Sequence, residues 1–142
     1  MKFLIESNYR GVHVRGEGHE YIFKSKLFSH SSVLLNEHKH AVVTLRRSSW
    51  WRKDFELIAN EKNYQLKQRF TRTHIIQNES GLEFNTTSGH DFFIDGAAAT
   101  RITPQGLTVK KYTIEILKTD HWLALLAATC LELQTSIVTK AG

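Results

Sequence analysis

Cysteine and proline are nearly missing from this chain: its 142 residues include one of each, Cys130 and Pro104. A lone cysteine excludes an internal disulfide and a cysteine-based zinc site. A single proline beside 8 glycines excludes collagen-like and proline-rich low-complexity sequence. Long apolar runs are missing as well. The N-terminal MKFLIES has one lysine and then three apolar residues before Glu6, too short for a signal-peptide core. The longest charge-free, apolar-rich stretch is the eleven residues His121–Leu131, whereas a membrane-spanning helix needs about 20. A free thiol without an export signal points to a cytoplasmic protein.

Catalytic and ligand motifs are equally scarce. Ser88, His90-Asp91 and Asp95-Gly96 have the residue types of a hydrolase site, but no G-x-S-x-G elbow accompanies them. Gly16-Glu17-Gly18 is not followed by a helical pattern and so makes no phosphate loop. His38 and His40, with His30 nearby and Glu37 alongside, have metal-capable chemistry, yet they lie in a predicted turn without H-E-x-x-H spacing. Cys130 falls in an apolar helix, where a thiol is expected to be buried and un-ionised. The expectation is a non-enzymatic protein with no cofactor and no metal.

What is present is globular: 41% hydrophobic and 23% charged residues, enough for one domain spanning residues 1–142. From residue 2 to 117 the chain reads as short strands, alternating with period two or briefly apolar, with turn residues between them. Candidates are Phe3–Ile5, Val12–Val14, Tyr21–Phe28, Val33–Leu35, Ala41–Arg47, Phe55–Ala59, Tyr64–Phe70, His74–Gln77, Leu82–Thr86, Asp91–Asp95, Ala98–Thr103 and Tyr112–Leu117. Asn36-Glu37, Asn60-Glu61 and Asn78-Glu79 each follow an apolar run and suit hairpin turns, because asparagine tolerates the left-handed backbone region. Without helical patterns between the strands, the sheet is expected to be antiparallel.

The pattern changes after Lys118. Asp120 is a good N-cap, and HWLALLAATCLELQ places apolar side chains on every side of a helix. Such a helix must be buried all round. About twelve antiparallel strands followed by it predict an all-β closed barrel plugged by a C-terminal helix, since a barrel of that size is too wide for its own side chains to fill. Ala124, Ala127 and Ala128 would let the walls approach, with Trp122 filling the wider end.

These segments carry a resemblance. Tyr21-Ile22-Phe23-Lys24-Ser25-Lys26-Leu27-Phe28-Ser29, Val33–Arg47, Phe55–Phe70, and Tyr112-Thr113-Ile114-Glu115-Ile116 leading through Asp120 into the terminal helix resemble the tubby C-terminal-like superfamily, most closely its LURP-one-related branch. The resemblance covers roughly three quarters of the chain and rests on apolar and turn patterns. It implies a twelve-stranded closed barrel around a central hydrophobic helix, in a superfamily that includes phospholipid scramblase-like proteins and phosphoinositide-binding tubby domains. This chain is much shorter than tubby domains proper and shows no phosphoinositide-ligating motif residue by residue.

Charge is concentrated in one window. Between residues 44 and 74 lie eight basic residues, Arg46, Arg47, Arg52, Lys53, Lys62, Lys67, Arg69 and Arg72, against three acids, Asp54, Glu56 and Glu61. That excess of five equals the formal net charge of the whole chain, +5. Trp50, Trp51, Phe55, Tyr64 and Phe70 are interleaved. Paired tryptophans flanked by Arg46-Arg47 and Arg52-Lys53 suit a membrane interface, where indoles straddle the polar boundary and cations meet phospholipid headgroups. Lys67, Arg69 and Arg72 extend the same candidate anion site. The competing reading is a solvated hairpin whose indoles cover a barrel end. The leading expectation is a barrel peripheral to an anionic phospholipid membrane. The alternatives are an interaction or structural module with an unknown protein partner, and, behind it, a nucleic-acid binder that stacks single strands on these aromatics. No zinc finger, RNP-type motif or recognition helix supports the last.

Overall fold

The computed structural model describes residues 1–8, 11–26, 31–49, 53–69, 72–86, 90–106 and 110–141. The alternating segments form strands β1 (Lys2–Asn8), β2 (Gly11–Gly16), β3 (His19–Lys26), β4 (Ser31–Leu35), β5 (Ala41–Ser49), β6 (Lys53–Ala59) and β7 (Lys62–Arg69). They continue as β8 (Arg72–Gln77), β9 (Glu83–Thr86), β10 (Phe92–Ile94), β11 (Ala97–Ala98), β12 (Thr100–Pro104) and β13 (Lys111–Ile116), and helix α1 (Trp122–Ala141) follows.

The strands pair antiparallel in a meander from β1 to β10, and β1 returns to pair with β13. The run 97–104 joins the two edges of the sheet. Its first part, β11, pairs with β10, and its second, β12, pairs with β13. The break falls at Ala99, whose N–H donates to the Phe92 carbonyl at 2.7 Å and whose carbonyl accepts from the Leu117 N–H at 2.8 Å. The sheet is thus a nearly closed antiparallel barrel of 13 strands; the count exceeds the twelve expected because 98–103 divides into two strands, and several strands have different bounds from those expected. A joined sheet hides the edges that would otherwise template aggregation.

Alternation fixes the two faces. Phe3, Ile5, Val12, Val14, Phe23, Leu34, Val43, Leu45, Leu57, Leu66, Ile75 and Ile114 point inward and are buried. Against them lies α1, in which every residue from Leu123 to Leu133 is buried. A helix enclosed on all sides is the solution for a wall too wide to pack on itself. The helix cap differs from expectation: the Oγ1 that accepts the His121 N–H, at 3.1 Å, belongs to Thr119. A hydroxyl at that position satisfies an orphan donor of the first turn as Asp120 would have done. The helix continues to Ala141.

The antiparallel meander sends alternate connections to opposite ends. At one end, the turn end, are the connections at residues 17–18, 36–40, 60–61, 78–82 and 95–96, and the segment 117–121 that leads into α1. All three Asn-Glu pairs sit here. Asn60 (φ 50°) and Glu61 (φ 62°) both adopt the left-handed region, the signature of a two-residue type I′ turn whose twist matches its strands. Glu17-Gly18 (φ 53° and 75°) and Asp95-Gly96 (φ 50° and 80°) do the same. The Gly-Glu-Gly sequence is therefore part of a hairpin. In the longer turn, Asn36 Oδ1 accepts the N–H groups of both His38 and His40 at 3.0 Å.

Helix α1 starts at this end, where Trp122 stacks on Phe3 with centroids 5.9 Å apart. It leaves at the other, the exit end. There Thr73 donates to Glu132, His90 Nδ1 lies 3.0 Å from the second Glu132 oxygen, and Ser25 donates to Gln134 Oε1 at 2.7 Å. Glu132 is the one buried carboxylate among the described helix residues, and these bonds replace the water it gives up.

Candidate functional site

The basic residues singled out by the sequence fall on four consecutive strands, β5 to β8. Register sorts them. Buried Val43 and Leu45 fix the inward positions of β5, so Arg46 is exposed on the outer wall while Arg47 takes the inward register and is half-buried. Lys53 likewise shares the register of Phe55 and Leu57 but sits at the strand's open end, exposed. Lys67, Arg69 and Arg72 alternate with buried Leu66 and Thr73 and so lie on the outer wall. The expected single face is thus an outer row, Arg46, Lys67, Arg69 and Arg72, beside Arg47 and Lys53 at the rim. Trp50, Trp51 and Arg52 lie outside the described residues.

Cross-strand neighbours set the local field. Arg46 stands opposite Glu56, Asp54 opposite Lys67, and Arg69 opposite Arg72. The Arg69 guanidinium reaches Asp54 at 2.6 Å, and this carboxylate raises the arginine's pKa further. Arg46, Lys53, Lys67 and Arg72 form no ion pair with any described residue. Directly opposed like charges such as Arg69 and Arg72 cost a little stability. The barrel keeps them beside one carboxylate, which leaves a surplus of positive charge facing solvent.

The aromatic part of the cluster divides differently. Tyr64 is buried, with its hydroxyl 2.7 Å from His121 Nδ1, and Phe55 packs against the core. The Tyr64 ring is not available for stacking on a ligand, and Phe55 is half-buried. Burial, assisted by Lys62, lowers the His121 pKa, which favours the neutral imidazole beside the tyrosine hydroxyl. Phe70 lies outside the described residues.

The remaining candidates stay apart. The rings of His38 and His40 are 6.3 Å apart on the turn, and His30, Ser88 and Gly89 lie outside the described residues. Among the described residues no three metal-capable side chains converge. Cys130 is buried, and desolvation pushes its thiol far up in pKa. A surface depression of about 650 Å³ between Gly81–Asn85 and Phe93–Gly96 brings together only two carboxylates, Glu83 and Asp95. Another of about 400 Å³ has Phe3, Tyr21 and Trp122 beside Glu17, His19 and Lys118. The first is local, between the consecutive strands β9 and β10, whereas the walls of the second come from β1, the β2–β3 hairpin and the start of α1, segments far apart in the chain. Among the described residues no helix is long and apolar enough to cross a membrane.

No protein-family model and no curated protein matches the sequence. Among solved structures the chain is similar to an X-ray structure of a protein from Arabidopsis thaliana, with a TM-score of 0.50 and 13% sequence identity over 93% of this chain and 90% of that one. At that identity the likeness carries the fold alone: both chains build the same kind of barrel along nearly their whole lengths.

Proposed function

We propose that this protein is a non-enzymatic barrel of the tubby C-terminal-like, LURP-one-related kind that binds anionic membrane phospholipid through the cations of β5 to β8, as a peripheral protein on a cytoplasmic surface. The observation that carries the reading is the surplus of solvent-facing cations. Arg46, Lys53, Lys67 and Arg72 have no ion-pair partner among the described residues, while Arg69 is paired with Asp54. Each such cation near an anionic leaflet is worth about 1 kcal/mol, and a cluster of roughly four to eight is the pattern that lipid surfaces select. Burial of Tyr64 and the packing of half-buried Phe55 on the core speak for headgroups over single-stranded nucleic acid, which needs exposed rings to stack on.

The test is flotation with neutral and anionic liposomes, with single-stranded DNA as competitor, for the native chain and for the variant R46Q/R47Q/R52Q/K53Q. Binding to anionic liposomes that survives DNA and is lost in the variant supports the reading. Unchanged binding in the variant moves the site elsewhere. No flotation at all leaves a protein-interaction module, and displacement by DNA alone favours nucleic acid.

A further inference from the structure

The charges of this barrel are sorted along its axis. At the turn end each of the six connections carries an acid, Glu17, Glu37, Glu61, Glu79, Asp95 and Asp120, against two lysines, Lys39 and Lys118, and the flanking strand ends add Lys2, Arg15, Lys62 and Arg101 against Glu20, Glu83 and Glu115, so acids still predominate. At the exit end the described residues flanking the connections are mainly cations: Arg47 and Lys53 around β5–β6, Arg69 and Arg72 around β7–β8, and Lys110 and Lys111 before β13. The acids at that end are engaged: Asp54 with Arg69 at 2.6 Å, Glu6 with Lys111 at 3.6 Å, Asp91 with the Ile102 N–H at 2.8 Å, and Glu132 with Thr73 and His90.

From this segregation we infer that the barrel docks end-on, with the exit end against an anionic bilayer and the turn end pointing away. The inference rests on the phospholipid reading above and adds its orientation. Its warrant is screening. Strands of seven residues separate the two ends by roughly 20 Å at about 3.3 Å per residue once tilted. That exceeds two Debye lengths at physiological salt, about 8 Å each. A bilayer at the exit end therefore feels the cations and almost none of the six turn acids. A bilayer along the outer wall of β5 to β9 would also meet Glu56, opposite Arg46, and Glu83, which holds His74 at 2.6 Å. End-on docking brings the surplus cations near the lipid and leaves the acids in water. Those cations outweigh the partial negative charge, about half an elementary charge, that α1 presents at its C-terminal end.

The experiment labels S48C, next to the exit end, and S80C, in a turn-end connection, with an environment-sensitive fluorophore. Both serines are exposed and Cys130 is buried, so the native thiol stays unlabelled. Vesicles of phosphatidylcholine with phosphatidylserine are the probe, and co-sedimentation is measured first. If the native chain fails to sediment with these vesicles, the phospholipid reading falls, and the orientation with it. If it binds, the expected result is a blue shift and intensity gain for the S48C label and none for the S80C label. A response from the S80C label, or equal responses from both, overturns the end-on orientation while leaving lipid binding intact. Charge variants give a second readout. R47Q/K53Q/R72Q should weaken vesicle binding at least tenfold, and E37Q/E61Q/E79Q should change it less than twofold. The opposite ranking overturns the inference.

Discussion

Glu61 is a residue in the wrong backbone region for its type. Its φ of 62° places a residue with a Cβ in left-handed space, which costs a non-glycine residue about 1 kcal/mol or more. Glycine removes that strain but loses more entropy on folding, so Glu61→Gly should stabilise the protein by about 0.5 kcal/mol. Urea unfolding measures it, and a lower midpoint would show that Glu61 is held by contacts rather than strained. His121 gives a pH signature. Its pKa is lowered in the folded state by burial, so the unfolded chain binds more protons between the two values. The contribution is fully present above the unfolded imidazole pKa of about 6.5 and is lost as pH falls through the folded value. The melting-temperature advantage of the native chain over His121→Gln should therefore shrink between about pH 8 and pH 5. An advantage that grows on acidification would mean that the imidazole is charged in the fold.

At the scale of the element, α1 decides whether there is a core at all. Leu125 is completely buried at the centre of the enclosed run. Leu125→Ala should cost about 3 kcal/mol through lost burial and the cavity it leaves, seen as a lower denaturant midpoint. Leu125→Asp places an unpaired charge there at a cost of several kcal/mol. The expected outcome is loss of the cooperative transition, and a soluble, cooperatively folding L125D protein would refute the plugged barrel. This element was legible in HWLALLAATCLELQ because a helix apolar on every side has one physical solution. Its cap was less so: Thr119 and Asp120 are both good capping residues, and the backbone path out of β13 selects between them.

For the whole molecule, the proposed attachment is electrostatic, so vesicle binding should fall steeply as salt rises from low to physiological concentration. Binding indifferent to salt would point instead to apolar side chains inserted into the bilayer as the main attachment. The strand segments and the excess of charge between residues 44 and 74 could be read directly from local sequence. Which cations share a surface could not. Arg46 and Arg47 are neighbours in the chain, yet a period of two sends one to the outer wall and the other to the inward register.

The sequence by itself determined the antiparallel strands, the hairpin turns and the buried helix, because alternation, left-handed-tolerant residues and an all-round apolar helix are local signals with local causes. Only the tertiary structure decided that the run 97–104 joins the two sheet edges, that Tyr64 belongs to the core with Phe55 packed against it, and that six scattered acids gather at one end. Those outcomes depend on register and on the alternation of connections around a meander. Both are set by pairing between segments far apart in the chain, and no single segment encodes them.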